Sequence, residues 1–213
     1  MRIEVPGGIH HVTARGNRRA AIFVDDEDRA LLLAIVGEAL SLFDAEAIAY
    51  CLMGNHYHFV LHTRHANLSA VMARVNGLYT QAFNRRHRVA GRVFEGRFKS
   101  IHVDEAAYLM AVCRYVELNP VRAGMSASAF AWRWSSCRAN IGLVRPPAWL
   151  ATGRLHGYLL GHEVRTDGDR RAAQASYAAF VDSERDVRLW DAHLSEGRFL
   201  GGPAFVARLR RSC

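Results

Sequence analysis

The stretch AEAIAYCLMGNHYHFVLHT, residues 45–63, contains the strongest structural signal in the chain. It consists of two runs of mainly apolar and aromatic side chains, 45–53 and 56–63, which predict two β-strands. Between them, Gly54-Asn55 is typical of a tight hairpin turn. The stretch therefore predicts an antiparallel β-hairpin, and the rest of the fold is interpreted outward from it.

Helical and strand-like patterns flank this hairpin on both sides. In chain order they predict a strand at 8–14, a helix at 27–43 with Asp25 or Asp26 as its N-cap, a helix from Asn67 to about Arg86, a strand at about 97–103, and a helix from Asp104 to near Pro120. This order of elements predicts an α+β fold, in which helices pack on one face of an antiparallel sheet.

The character of the chain changes near residue 145. Pro-rich and Gly- and Asp-rich connections follow, together with short helical patterns at about 170–183, 185–195 and 203–211. We therefore expect a first domain at 1–145 and a small helical C-terminal extension at 146–213. The extension is either an independent module or a continuation of the core.

The charge of the chain favours a polyanionic partner. The 28 Lys and Arg outnumber the 20 Asp and Glu, which gives a formal net charge of +8, and nucleic acid is the commonest polyanion for such proteins. Positive residues cluster at Arg15, Arg18 and Arg19, and again between Arg85 and Lys99. A solvated, arginine-rich surface explains the same charge, so DNA binding needs a second signal.

Composition excludes several classes of protein. Half of the 213 residues are hydrophobic and 23% are charged, which is typical of a globular protein and excludes a wholly disordered chain. There is no uncharged apolar run of about 20 residues and no signal peptide, so we expect a cytoplasmic, nucleoid-associated protein. The scattered cysteines predict reduced, mostly buried thiols; they are Cys51, Cys113, Cys137 and Cys213.

Two small groups of residues suggest chemistry. Alternate residues of a strand share a face, so His56 and His58 project together and can chelate a divalent ion, although an isolated pair is more often structural. His62 has the same parity but is better placed as a peripheral residue. Tyr115 and Asn119 share a helix face. Beside a metal, the phenolate would be the nucleophile towards a phosphodiester and Asn119 a neutral oxygen ligand.

Several strings together make a family recognisable. They are GIHHVTARGNRRAAIF, AYCLMGNHYHFVLHT, GRVFEGRFKS, YLMAVCRYVELNPVRAGM and WSSCRA. In this order they resemble the REP-associated tyrosine transposases, which belong to the single-tyrosine HUH transposases and nucleases. The resemblance covers about residues 6–142, and the combination of NHYH with RYVELNPVRAG is highly specific.

The resemblance implies a ferredoxin-like antiparallel sheet with the histidine strand at its centre, and a catalytic role for domain 1–145. Such enzymes nick and rejoin single-stranded DNA beside hairpins through a 5′-phosphotyrosine. The family pattern assigns the metal ligands to His56, His58 and Asn119 and the nucleophile to Tyr115. We expect a divalent ion, Mg²⁺ or Mn²⁺, a hairpin DNA partner, no membrane and no small-molecule cofactor. A monomer is favoured over a homodimer, and a domesticated enzyme over a freely transposing one.

The expected DNA contacts are cations on loops either side of the site; they are Arg15, Arg18, Arg19, Arg92, Arg97, Lys99 and Arg122. Trp132 and Trp134 either stack on bases or pack against the core, and packing is the more common role.

Other functions stay open at this point. The first alternative is a hairpin DNA-binding regulatory protein whose cleavage activity is vestigial. A second is a structural zinc module that uses His56, His58 and a cysteine such as Cys51 or Cys113, although the cysteines lack paired spacing. A nucleotide hydrolase with three alternating histidines is disfavoured because Val60 interrupts the series.

Overall fold

A computed structural model of the protein describes residues 4–183, 194–195 and 197–211. The strands are β1 (Gly8–Arg15), β2 (Ala45–Leu52), β3 (His56–Thr63), β4 (Lys99–Val103), β5 (Leu194–Ser195) and β6 (Phe199–Leu200). The helices are α1 (Asp26–Leu42), α2 (Leu68–His87), α3 (Glu105–Glu117), α4 (Asn119–Arg122), α5 (Cys137–Asn140), α6 (Thr152–Leu160), α7 (Asp167–Ser183) and α8 (Pro203–Arg211). The predicted hairpin and the helices around it are confirmed.

The strands form one sheet in the order β2-β3-β1-β4-β6-β5. Pairs within β2-β3-β1-β4 are antiparallel, whereas β6 pairs with β4 in parallel, so the whole sheet is mixed. The α+β class is confirmed, and the histidine strand β3 lies inside the sheet. The register places Thr13 of β1 opposite both His58 of β3 and Lys99 of β4. These three side chains therefore form a row across one face of the sheet.

Helices cover both faces of the sheet, which corrects the expectation that they pack on one face. Leu32 of α1 and Val71 of α2 share a buried cluster with Phe59. Val112 of α3 is buried in a second cluster with Val60. Neighbouring residues of β3 are apolar and point to opposite faces, so each face loses its contact with water only when a helix covers it.

The region after residue 145 packs closely on the sheet. The Ala47 N–H donates to the Trp149 carbonyl at 3.0 Å, and the Ala151 N–H donates to the Ala47 carbonyl at 2.8 Å. Tyr177 of α7 is buried in the same cluster as α3. These contacts favour a continuation of the core over an independent module, while the boundary at 145 stays a prediction.

The extension contains strands as well as helices. The helical patterns at 170–183 and 203–211 are confirmed as α7 and α8. Most of the pattern at 185–195 lies outside the described residues, and its last two residues form β5 instead of a helix. β6 extends the sheet next to β4 through the pairs His102–Phe199 and Val103–Leu200.

The interior holds reduced cysteines, as expected. Cys51, Cys113 and Cys137 are buried free thiols, and burial raises the pKa of each above its usual value. Cys213 lies outside the described residues. Among the helices that the structure describes, none combines the length and the apolarity needed to cross a membrane.

Candidate functional site

The histidine pair lies at the start of β3 and lines a small cavity of about 130 Å³. The ring centroids of His56 and His58 are 5.0 Å apart. His56 Nδ1 donates to Asn55 Oδ1 at 2.7 Å, which fixes the orientation of that ring. His58 is only 7% exposed, and its Nε2 is buried with no hydrogen-bond partner among the described residues. Burying a nitrogen without a hydrogen-bond partner costs free energy unless a ligand binds to it, so this atom indicates a ligand-binding site.

His11 of β1 supports His58, a role that the sequence did not reveal. The two rings are stacked with centroids 5.2 Å apart, and a 2.9 Å hydrogen bond joins His11 Nε2 to His58 Nδ1. Burial lowers the pKa of His11 to about 3. Burial, aided by nearby charges that include Arg15 and Arg122, holds the pKa of His58 well below 6.5. Both imidazoles are therefore neutral near pH 7, the state in which histidine ligates metals.

Tyr115 lies beside these histidines. It occupies the last turn of α3 and is half-buried, with its ring centroid 6.2 Å from that of His58 and 6.0 Å from that of His11. The Arg122 guanidinium carbon lies 4.7 Å from the centroid of the Tyr115 ring. The structure thus brings the candidate nucleophile, the histidine pair and one candidate DNA-binding arginine together.

Asn119 follows one turn after Tyr115. Its Nδ2 donates to the Tyr115 carbonyl at 2.9 Å and to the Val116 carbonyl at 3.3 Å, so the side chain caps the end of α3. In the described part of the chain, the hydrogen bonds of this side chain go to the α3 backbone and none goes to the histidine pair. The amide is near the site through its neighbour Tyr115 but makes no contact that defines a ligand.

A buried carboxylate anchors the helix that carries Tyr115. Glu117 accepts hydrogen bonds from Ser136 Oγ at 2.5 Å, Asn140 Nδ2 at 2.8 Å and the Tyr177 hydroxyl at 2.9 Å. Burial raises its pKa to about 7, against the opposing effect of these donors. The sequence contained one signal for this anchor, an isolated acidic residue within an otherwise apolar helix face.

Three of the predicted DNA-binding cations surround the histidine cavity. Arg15, Arg97 and Lys99 line it together with the histidine pair. Arg15 is paired with His56 in the sheet register, and Lys99 lies in the same row as His58. All three are exposed at the surface. The loop before β4 and the end of β1 therefore converge because the strands that carry them are neighbours.

Arg18 and Arg19 lie on a turn that Asn55 holds in place. Both have a positive φ, 54° and 60°, which is uncommon for residues other than glycine. Asn55 Nδ2 donates to the Arg19 carbonyl at 2.9 Å, and the Gly16 N–H donates to the Asn55 carbonyl at 2.8 Å. A Cβ on Gly16 would lie 2.0 Å from the Ala20 carbonyl oxygen, so the turn requires glycine there. Asn55 thus connects this arginine turn to His56.

The remaining candidates lie elsewhere. Arg92 lines a separate groove against α2. His62 bonds to Glu46 at 3.1 Å and is peripheral to the site. Trp132 donates its Nε1 hydrogen to the Leu52 carbonyl at 3.1 Å and packs against the α3 cluster, which favours a packing role.

The donor set limits which metal the site could hold. No group of three or more His, Cys, Asp or Glu side chains within the described residues could hold an ion. This finding does not support a structural zinc module, which needs four strong ligands. Two neutral imidazoles, one with a buried and unpartnered nitrogen, fit a site that leaves positions open for substrate oxygens.

Comparisons with known proteins agree with the motifs. A family model described as "Transposase IS200 like" matches residues 5–119, a range that includes His56, His58, Tyr115 and Asn119. No curated protein matches the chain.

Two solved structures are similar in fold. A REP-associated tyrosine transposase bound to a REP hairpin matches with a TM-score of 0.59 and 17% identity, covering 71% of this chain and 89% of that chain. A candidate transposase from Deinococcus radiodurans R1 matches with a TM-score of 0.38 and 16% identity, covering 51% of this chain and 88% of that one. The first likeness shows a shared fold, and the second supports no inference.

Proposed function

The chain belongs to the family of IS200-like transposases, and from this premise we propose that it is a metal-dependent endonuclease and strand transferase. Its substrate is single-stranded DNA next to a hairpin of the REP type, and the reaction passes through a 5′-phosphotyrosine. The observation that carries the proposal is the position of the Tyr115 ring, 6.2 Å from the ring of His58. A phenol beside two neutral imidazoles suits nucleophilic attack on a phosphodiester.

Tyr115 is the nucleophile in this reaction. Its oxygen attacks the scissile phosphorus; the tyrosyl O–P bond forms and the bond between phosphorus and the 3′-oxygen breaks. The phenol releases its proton to solvent, and the leaving 3′-oxygen takes up a proton to become a hydroxyl. Because one phosphodiester replaces another, a 3′-hydroxyl can attack the phosphotyrosine and reseal a strand without ATP. The Arg122 guanidinium, 4.7 Å from the Tyr115 ring centroid, stabilises the negative charge that develops on the phenolate.

The residues that would hold a divalent ion, Mg²⁺ or Mn²⁺, are His56, His58 and Asn119. Such an ion, when bound, neutralises charge on the scissile phosphate and helps to orient it. His58 uses Nδ1 in its bond to His11, which leaves the buried Nε2 as the ligating atom. His56 uses Nδ1 in its bond to Asn55 and is oriented in the same way.

The cations around the site hold the DNA backbone. Arg15, Arg97 and Lys99 line the cavity next to the histidine pair, where phosphates of the bound strand would lie. Arg18 and Arg19 present further positive charge on the adjacent turn. Arginine also reads guanine edges bidentately, so this turn is suited to contacts with the foot of a hairpin.

The proposed assembly is a monomer that needs no small-molecule cofactor. The anchor of the Tyr115 helix supports the monomer, because Ser136, Asn140 and Tyr177 bond to Glu117 within the same chain. These bonds hold the Tyr115 helix against residues 136–140 and α7 of its own chain.

The proposal is tested with a labelled hairpin that carries a single-stranded extension, incubated with the protein and Mg²⁺ or Mn²⁺. We expect a covalent protein–DNA band that survives denaturation and disappears in Tyr115→Phe. Tyr108→Phe, a substitution of another half-buried tyrosine on α3, is the matched control and retains the band. Tight hairpin binding without a covalent adduct in the presence of either metal would contradict the proposed enzymatic activity and favour a hairpin-binding regulator.

A further inference from the structure

A groove of about 680 Å³ runs between α2 and the loop at 91–98. Met72, Phe94 and Phe98 line it with apolar surface, and Arg92 and Arg97 line it with positive charge. Phe94 and Phe98 are each only 6% exposed, so they contribute to the floor of the groove. An apolar floor beside arginines suits a nucleobase and its phosphate. The groove is separate from the cavity at the histidine pair.

The groove is kept wide by a glycine that packing does not require. Gly77 lies in the middle of α2, where glycine weakens a helix relative to alanine. A Cβ added there would meet no heavy atom of the described residues within 4 Å. Since no neighbour excludes a side chain, the visible effect of the glycine is to leave the groove open.

One polar group in the groove has a fixed orientation. The Tyr57 hydroxyl donates to Asn76 Oδ1 at 2.6 Å, which assigns the other atom of the amide as the donor Nδ2. Asn76 lines the groove beside Gly77. The groove therefore offers a hydrogen-bond donor as well as apolar and cationic surface, which matches the acceptor edges of a nucleobase.

The groove adjoins the proposed catalytic site. Gly96 and Arg97 line both the groove and the small cavity at His56 and His58. A strand held at the histidine pair would reach the groove by passing this part of the loop. Arg97 is placed to contact its backbone in between.

We propose that this groove binds an unstacked base of the single-stranded segment that leads into the histidine cavity, an inference that rests on the proposed function. The base packs on the apolar floor of the groove, its edge accepts a hydrogen bond from Asn76 Nδ2, and Arg92 binds the adjoining phosphate. The groove then prefers a hairpin with a single-stranded extension over a blunt hairpin.

Filling the groove tests this inference. Binding of a blunt hairpin and of the same hairpin with a single-stranded extension is measured by fluorescence anisotropy for the full-length protein. We expect the extension to strengthen binding about tenfold, the order of magnitude contributed by one bound base. Gly77→Leu should remove this preference and leave blunt-hairpin binding within twofold. Gly153→Leu is the matched control, because Gly153 is an exposed glycine in α6 that also meets no atom within 4 Å.

A second variant keeps the test independent of folding. Arg92→Gln changes an exposed side chain and should reduce the preference for the extension at least threefold. A wild-type protein with no such preference, or a Gly77→Leu protein that retains it, overturns the groove assignment even if the covalent adduct forms. A change in oligomeric state in Gly77→Leu, with the preference intact, would assign the groove to a second copy and also overturn it. If the wild-type protein formed no covalent adduct, this would instead contradict the proposed function.

Discussion

At the scale of single residues, we expect His58 to be needed for cleavage and not for DNA binding. Its Nε2 is buried and has no hydrogen-bond partner among the described residues, whereas Arg15 and Arg97, which line the same cavity, are exposed to a DNA backbone. We expect His58→Ala to abolish adduct formation and to leave hairpin affinity within a few-fold, because phosphate contacts dominate affinity. His65→Ala, an exposed histidine after β3, should change neither. Parallel loss of binding and cleavage in His58→Ala would contradict this division.

Asn55 makes two side-chain hydrogen bonds that substitutions can separate. Asn55→Ala loses both the bond from His56 and the bond to the Arg19 carbonyl. We expect the Mn²⁺ concentration for half-maximal adduct formation to rise roughly tenfold, as when other residues that orient metal ligands are removed. Asn55→Asp keeps an acceptor for His56 and should retain the wild-type metal dependence while binding the hairpin more weakly. Equal metal dependence in both variants would show that this bond does not orient His56.

The sequence revealed some of these residues and not others. Strand parity pairs His56 with His58 and helical spacing pairs Tyr115 with Asn119, both of which are local patterns. The family resemblance assigns the two pairs to one site. His11 and Asn55 were missed because their roles depend on pairing between β1 and β3 and on the position of a distant turn.

At the scale of elements, α3 depends on the Glu117 anchor. Glu117→Ala leaves three buried donors on Ser136, Asn140 and Tyr177 without their acceptor. We expect the free energy of unfolding to fall by about 2–4 kcal/mol, measured by urea denaturation. Glu117→Gln retains an acceptor and should recover part of the loss. Glu38→Ala, an exposed glutamate in α1, should change stability by less than about 0.5 kcal/mol; similar losses at both positions would contradict the anchor.

The sequence predicts the helices and strands that have long periodic patterns. It predicts helix caps and two-residue strands less well. The sequence predicts Asp25 or Asp26 as the N-cap of α1, and the structure assigns Asp25, whose side chain accepts from the Asp28 N–H. Asn67 precedes α2, but its Nδ2 donates to the Phe43 carbonyl instead of capping the helix. The two-residue strand β6 is defined by its pairing with β4, and β5 by its pairing with β6, so no local pattern could indicate either.

At the scale of the whole molecule, Glu46 joins the C-terminal extension to the sheet. A hydrogen bond from His62 and the Arg154 guanidinium lower the pKa of Glu46 to about 2. The folded pKa is below the unfolded value of 4.5, so this stabilisation is complete above pH 4.5 and is lost as the pH falls towards 2. Glu46→Gln should lower the free energy of unfolding by about 2 kcal/mol at pH 7, with a smaller difference at pH 3. A difference that is constant across this range would show that the charge does not contribute.

The placement of the extension could not be derived from the sequence. Contacts such as that between Glu117 and Tyr177 join residues 60 positions apart, and hydrophobic patterning does not specify which buried surfaces meet. Patterning did predict α7 and α8, but not that α7 would bury Tyr177 against the helix that carries Tyr115.

The most direct test of the mechanism is to locate the covalent bond. After reaction with the hairpin substrate and Mn²⁺, trypsin cleavage following Arg114 and Arg122 releases residues 115–122, and mass spectrometry identifies the peptide that carries a nucleotide. We expect the 5′-phosphate to be attached to this peptide, at Tyr115. Attachment to a peptide that contains Tyr108, or cleaved DNA with no attached peptide, would contradict the assignment of Tyr115 as the nucleophile.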